Sequence, residues 1–156
     1  MTQQIPLKLV TDELFPLLEE TFERVQGIYL DKGTSLFETL DTITAEEASR
    51  PVSASCASIA GQVEHVRFYL QVLQDYMQDK EVGKVDWAAS WYVKTVTSAE
   101  WDALKQRLRS AYQDLTALAK SIETWQGENQ LSGALAIVVH TAYHLGEIRQ
   151  ALCVIK

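Results

Sequence analysis

The stretch WDALKQRLRSAYQDLTALAKSIETW, residues 101–125, decides the fold class. Its apolar residues recur at spacings of three and four, which is the pattern of a helix that buries one face. They are Trp101, Leu104, Leu108, Ala111, Tyr112, Leu115, Leu118, Ile122 and Trp125. Thr97 and Glu100 have the spacing of a capping box ahead of this stretch, and Gly127 is a natural stop after it. The stretch therefore predicts one long amphipathic helix, the third of four.

Two further helices are predicted upstream. The first ends near Gly27, and Pro16 within it requires the helix either to begin or to bend at that point. The second begins near Ser55 or Ser58, where serines offer an N-cap, and runs to about Asp79. Its apolar residues again recur at helical spacing.

The fourth helix runs from about Ser132 to the C-terminus and is apolar on much of its circumference. That pattern predicts burial on more than one side, by the bundle and by a second subunit. The short connector GENQLSG, residues 127–133, predicts that the third and fourth helices are antiparallel neighbours.

The first and second helices are joined by a long connection, residues 27–53, which can cross the end of a bundle. Helical turns are expected within it around residues 35–40 and 45–49. No stretch shows sustained strand alternation. The sequence thus predicts an all-α four-helix bundle, formed as a single domain by residues 1–156.

Composition and charge exclude several classes of function. Hydrophobic residues make up 47% of the chain and charged residues 22%, as in globular proteins. The formal net charge of -7 would repel phosphate backbones, so no nucleic-acid partner is expected. No segment approaches the apolar length of a membrane span or of a signal peptide, so no membrane partner is expected either.

The chain has two cysteines, Cys56 and Cys153, whose spacing matches no zinc or redox motif. We expect both to be reduced and buried, in a cytoplasmic protein. Cys56 is the better candidate for a nucleophile, because it lies near a predicted helix start that would lower its thiol pKa. A structural role for both thiols is the favoured interpretation.

Histidine placement points to a metal site. His140 and His144 are four residues apart in the fourth helix, so both lie on one face, one turn apart. The one remaining histidine, His65, falls among apolar residues of the second helix and is expected to face the bundle interior. Helix bundles build metal sites from inward side chains on facing helices. The alternative is that these are core histidines, hydrogen-bonded to neighbours.

Three neutral imidazoles suit zinc, nickel, iron or copper, and they leave at least one coordination position open. That is the layout of a catalytic site, in which a cation activates a water or a thiol. Glu147 lies three residues after His144 on the same stripe. It is the candidate catalytic side chain, as an orienting partner for a histidine, a proton acceptor or a fourth ligand.

The segment HTAYHLGEIRQ, residues 140–150, resembles the last-helix motif of the DinB-like superfamily, which includes the YfiT-like proteins. The family sequence after the second histidine is close to HxGQIR, so Glu147 stands where glutamine is common. SIAGQVEHVRFYL, GTSLFETLDTITAEEASRPV, VDWAASW and EWDAL also look like the family pattern. The resemblance covers nearly the whole chain.

The resemblance implies an up-down-down-up bundle, often a homodimer, with a metal triad at His65, His140 and His144. It implies zinc, nickel or iron as the divalent metal, and thiol S-transferase-like or hydrolase-like chemistry on a small electrophile. A low-molecular-weight thiol such as bacillithiol would then be a cosubstrate. The alternative is a non-enzymatic, stress-related homodimer in which the metal has a structural role.

Aromatic residues in the connector between the second and third helices are candidates for a substrate pocket. Trp87, Trp91 and Tyr92 could cover the metal end of the bundle. The alternative is that they cap the core.

Overall fold

A computed structural model describes residues 5–156, which form helices and loops without a strand in that range. The long helices are α1 (Leu7–Phe22), α4 (Ile59–Met77), α5 (Ser98–Ser121) and α6 (Gln130–Ile155). Two short helices, α2 (Leu36–Leu40) and α3 (Ala45–Ser49), lie between α1 and α4, and a 3₁₀ helix covers Trp87–Trp91. The predicted all-α fold is confirmed.

Helix α5 forms as its sequence pattern predicts. The Thr97 hydroxyl accepts from the Glu100 N–H at 3.3 Å, and the Glu100 carboxylate accepts from the Thr97 N–H at 2.7 Å. The apolar face is buried from Trp101 to Leu115, and the Trp101 indole donates to the Ile43 carbonyl at 2.8 Å. The helix ends at Ser121, ahead of the expected stop at Gly127.

Helix α4 lies at the centre of the packing, against both α5 and α6. Helix α1 packs against α6, and Phe22 of α1 stacks on Tyr112 of α5 with ring centroids 4.5 Å apart. The expectation that α5 and α6 are close neighbours is therefore wrong, because α6 packs mainly on α4 and α1. The connection over residues 122–129 could extend about 26 Å, enough to cross a bundle diagonal.

The buried side chain of Glu20 anchors the connection after α1. Its carboxylate accepts hydrogen bonds of 2.6–3.1 Å from the backbone N–H groups of Gln26, Ile28, Tyr29 and Leu30. Burial alone would raise the pKa of Glu20, but the four backbone donors outweigh that effect and lower the pKa to about 2. Because those N–H groups bond to a side chain, α1 ends at Phe22 rather than near Gly27.

Both cysteine side chains are exposed, so the expectation of buried thiols is wrong. Cys56 lies in the loop before α4, and Cys153 lies on the outer face of α6 near its end.

The bundle covers one side of α6 and leaves apolar residues on the other. The exposed ones are Leu135, Val139, Tyr143 and Val154. None of the described helices is both long and apolar enough to cross a membrane.

Candidate metal centre

The packing of α4 against α6 brings the three histidines together. One ring nitrogen from each of His65, His140 and His144 lies within 4.8 Å of the other two. The Nε2 atoms of His65 and His140 are 3.1 Å apart. His65 and His144 are buried and His140 is half-buried, so the cluster reaches the protein surface on one side.

Ser90, in the 3₁₀ helix, lies beside the Nδ1 edge of the His65 ring. The Ser90 hydroxyl donates to the Trp87 carbonyl at 2.6 Å. Its oxygen lies 2.7 Å from Nδ1 of His65 and is therefore the acceptor of that second hydrogen bond. The His65 proton is thus on Nδ1, and the lone pair of Nε2 points toward His140.

Two acceptors hold the ring of His144. Its Nδ1 lies 2.9 Å from a carboxylate oxygen of Glu147 and 3.3 Å from the amide oxygen of Gln62. Neither oxygen is a donor when Glu147 is ionised, so Nδ1 carries the proton. The lone pair of His144 is therefore on Nε2, as it is in His65.

His140 is held differently from the other two histidines. Its Nδ1 is buried and has no hydrogen-bond partner among the described residues. Its ring stacks on Tyr69, with centroids 3.7 Å apart and an interplanar angle of 9°. Since Nε2 of His65 is an acceptor, the 3.1 Å contact makes His140 the Nε2–H donor when no metal is bound.

All three rings are neutral near pH 7. Burial and the neighbouring His144 lower the pKa of His65 to about 4, against the opposing effect of Glu147. Burial, His144 and His65 lower the pKa of His140 to about 3. Burial also lowers the pKa of His144, although Glu147 raises it in part. Neutral imidazole is the form that binds metals.

The donor set fits a divalent transition metal. Two nitrogens bound to one ion at about 2.0–2.1 Å would be about 3.0–3.4 Å apart, and the His65–His140 separation of 3.1 Å matches this. Histidines that bind metals usually donate their other N–H to an oxygen, as His65 and His144 do here. The three histidines could therefore hold a metal ion.

One of the three connector aromatics, Trp91, lies directly against the histidines, and Trp87 packs on Tyr69 beside them. Trp91 stacks on His65, with centroids 4.0 Å apart, and Trp87 packs against Tyr69 at 5.8 Å. Tyr92 is 71% exposed and lines a different cavity, beside Arg107 of α5.

A cavity of about 420 Å³ adjoins the Nδ1 edge of His144. Its lining includes Gln62 and Glu147, which contact that edge, together with Trp91 and Cys56. Sequence reasoning missed Gln62 and Tyr69, although their spacing of three and four from His65 on α4 puts them on its face. Ser90 carried no such signal, because it reaches His65 from a different element.

Comparison with known proteins supplies a family for the chain. A family model for the DinB superfamily matches residues 31–148. That range includes all three histidines and their hydrogen-bond partners. No curated protein and no solved structure matches the chain.

Proposed function

The chain belongs to the DinB superfamily, and from this premise we propose that it is a metal-dependent enzyme. His65, His140 and His144 would bind one divalent transition metal, either zinc, nickel or iron. The observation that carries the proposal is the convergence of one nitrogen from each neutral ring within 4.8 Å. Two of these rings already have their other nitrogen bonded to an oxygen acceptor.

The chemistry would be thiol S-transfer or hydrolysis on a small electrophile. When bound, a divalent cation held by neutral imidazoles keeps its charge and favours deprotonation of a thiol or a water. In transfer, the thiol sulfur would bond to the electrophilic carbon and the leaving group would depart with its bonding electrons. The thiol proton would pass to solvent. The half-buried position of His140 supports access for small molecules.

Glu147 would act as a positioning residue rather than as a proton acceptor or a fourth ligand. Its carboxylate contacts Nδ1 of His144, the edge of the ring away from the expected metal-binding nitrogen. We expect Glu147→Gln to weaken zinc binding by about ten- to a hundredfold, because the imidazole loses a charged acceptor. Glu128→Gln, at an exposed site near the start of α6, is the matched control and should bind zinc like the wild type.

The substrate would reach the metal from the half-buried side of the cluster, at His140. Trp91, which stacks on His65, and Trp87, which packs against Tyr69, would border that approach. The cavity beside Gln62 and Glu147 lies at the Nδ1 edge of His144, away from the expected metal-binding nitrogen, so it would not hold the reacting group.

The activity is tested on untagged protein loaded separately with zinc, nickel or iron. Low-molecular-weight thiols with an aryl halide probe transfer, and activated esters probe hydrolysis. We expect one reaction to proceed faster with the loaded wild type than with the metal-free protein or with loaded His140→Ala. Equal rates in all three samples, with metal bound in the wild type, would favour a structural metal.

The alternative function is that of a non-enzymatic homodimer in which the metal has a structural role. A homodimer is also compatible with the proposed enzyme, so it is tested separately. Leu135, Val139 and Tyr143 form an exposed apolar stripe along α6, at spacings of four. We propose that a second copy covers this stripe. In sedimentation velocity, Val139→Glu should shift a dimer to a monomer, while Leu9→Glu, on exposed α1 surface, should not. A monomeric wild type would contradict the dimer.

We propose a cytoplasmic location, which the two unpaired, exposed thiols support, because reducing compartments preserve free cysteines. Subcellular fractionation of the native host tests this. Recovery with the membrane or extracellular fraction would contradict it.

A further inference from the structure

We propose that Ser90 is a positioning residue that sets the tautomer of His65 and so couples metal binding to the 3₁₀ segment. The 3₁₀ segment is defined here as residues 86–92. The coupling rests on the metal site proposed above, whereas the tautomer is a property of the metal-free protein. The two parts can therefore fail separately.

The first step of the argument is the direction of the hydrogen bonds. The Ser90 oxygen lies 2.6 Å from the Trp87 carbonyl oxygen, and two oxygens this close need a hydrogen between them. A carbonyl has no hydrogen to donate, so the Ser90 hydroxyl donates to it. With its proton used there, the Ser90 oxygen accepts from His65 at 2.7 Å. This chain of two hydrogen bonds holds the His65 proton on the edge that faces away from His140.

The second step is what His65 would do without Ser90. A buried N–H with no acceptor is unfavourable, so the Nδ1–H form of His65 would lose its preference. A proton on Nε2 of His65 would move the His140 proton to its Nδ1, which is buried and has no partner among the described residues, so the two forms of His65 would become comparable. Nε2 lies 3.1 Å from Nε2 of His140, and a proton there occupies the lone pair that a metal requires. Removal of the Ser90 hydroxyl would therefore impair a metal ligand that Ser90 itself does not provide.

The third step is how the 3₁₀ segment is held in place. Asp86 caps its start by accepting from the N–H groups of Ala88 and Ala89 at 3.1 and 3.3 Å. Trp91 stacks on the His65 ring at 4.0 Å. The carbonyl of Val93 lies so near Gly61 of α4 that a Cβ there would approach it to 2.8 Å. Because the segment is held against α4 by these contacts, we expect a change in the His65 ring to alter it.

The tautomer is tested first, in metal-free protein labelled with ¹⁵N-histidine. Long-range ¹H–¹⁵N correlation spectra distinguish Nδ1–H from Nε2–H imidazoles. We expect the Nδ1–H form for His65 in the wild type and in Ser90→Thr, which retains a hydroxyl. In Ser90→Ala we expect the Nε2–H form of His65 to become populated beside the Nδ1–H form. A wild-type His65 protonated on Nε2, or no change in Ser90→Ala, would overturn the proposal.

The coupling is tested next by zinc affinity and hydrogen exchange. Ser90→Ala should bind zinc about ten- to a hundredfold more weakly than the wild type, and Ser90→Thr should recover most of that loss. Ser98→Ala, at the exposed start of α5, is the matched control. Zinc should slow amide exchange in residues 87–92 of the wild type and slow it less in Ser90→Ala.

Zinc affinity in Ser90→Ala within twofold of the wild type would overturn the coupling. A wild type that binds no zinc would contradict the proposed function, while the tautomer spectra would still decide the role of Ser90.

Discussion

Zinc affinity should change little when the pH is lowered from 7.5 to 6.0. Protons compete with a metal for imidazole nitrogens, so three histidines with the ordinary pKa of about 6.5 would lose about fiftyfold in affinity over this range. Here the pKa of His65 is about 4 and that of His140 about 3, so neither ring takes up a proton in this interval.

The remaining pH dependence comes from His144. An ordinary pKa of about 6.5 would reduce the affinity by about fourfold, and the pKa of His144 is lowered by burial. We therefore expect a fall of less than about fourfold. Glu147 raises the pKa of His144, so Glu147→Gln should make the remaining pH dependence smaller still.

Competition against a chromophoric zinc chelator, calibrated at each pH, measures this change. Calorimetric titration in two buffers of different ionisation enthalpy counts the protons released on binding. At pH 6.0 we expect fewer than one proton per zinc, against about two for three ordinary histidines. A fall in affinity above about tenfold, or release of two protons, would refute the reasoning that burial keeps these rings neutral.

Three further predictions concern stability. Glu20→Gln should lower the free energy of unfolding in urea by about 2–4 kcal/mol, because an amide nitrogen cannot accept and leaves one or two part-buried backbone N–H groups without their acceptor. An unchanged midpoint would contradict this. The metal-free protein should lose stability as the pH falls from about 6.5 toward 4. The pKa values of His65 and His140 are lower in the folded protein than in the unfolded chain, so the unfolded chain binds more protons over this range. A melting temperature that stays constant over that range would contradict this. Zinc at a hundred times its dissociation constant should stabilise the wild type by about 2.7 kcal/mol, whereas His65→Ala should gain much less, and equal gains would place the zinc elsewhere.

The helices and the histidine cluster follow from local patterns. The spacing from Trp101 to Leu115 predicted the buried face of α5, and Thr97 with Glu100 predicted its start. The four-residue spacing of His140 and His144 put both on one face of α6. These features depend on the period of a single helix, which is visible in one sequence.

Features that depend on contacts between elements could not be predicted in the same way. Ser90 and His65 are 25 positions apart in the sequence, so no helical spacing connects them. Glu20 anchors the connection through backbone N–H groups, and these are the same whatever the side chain, so the sequence does not indicate them. The neighbours of α6 were also missed, because the length of the connection before it allows more than one path. Cys56 and Cys153 were expected inside because free cysteines are usually buried, but here they lie on a loop and an outer helix face.

The metal content of the purified protein tests the central claim most directly. The protein is prepared without a histidine tag, exposed to zinc, nickel or iron, desalted and measured by elemental mass spectrometry, beside His144→Ala. We predict about one transition-metal ion per chain in the wild type and a large loss in the variant. Little metal in the wild type after exposure to all three, or equal metal in both proteins, would contradict a site at His65, His140 and His144.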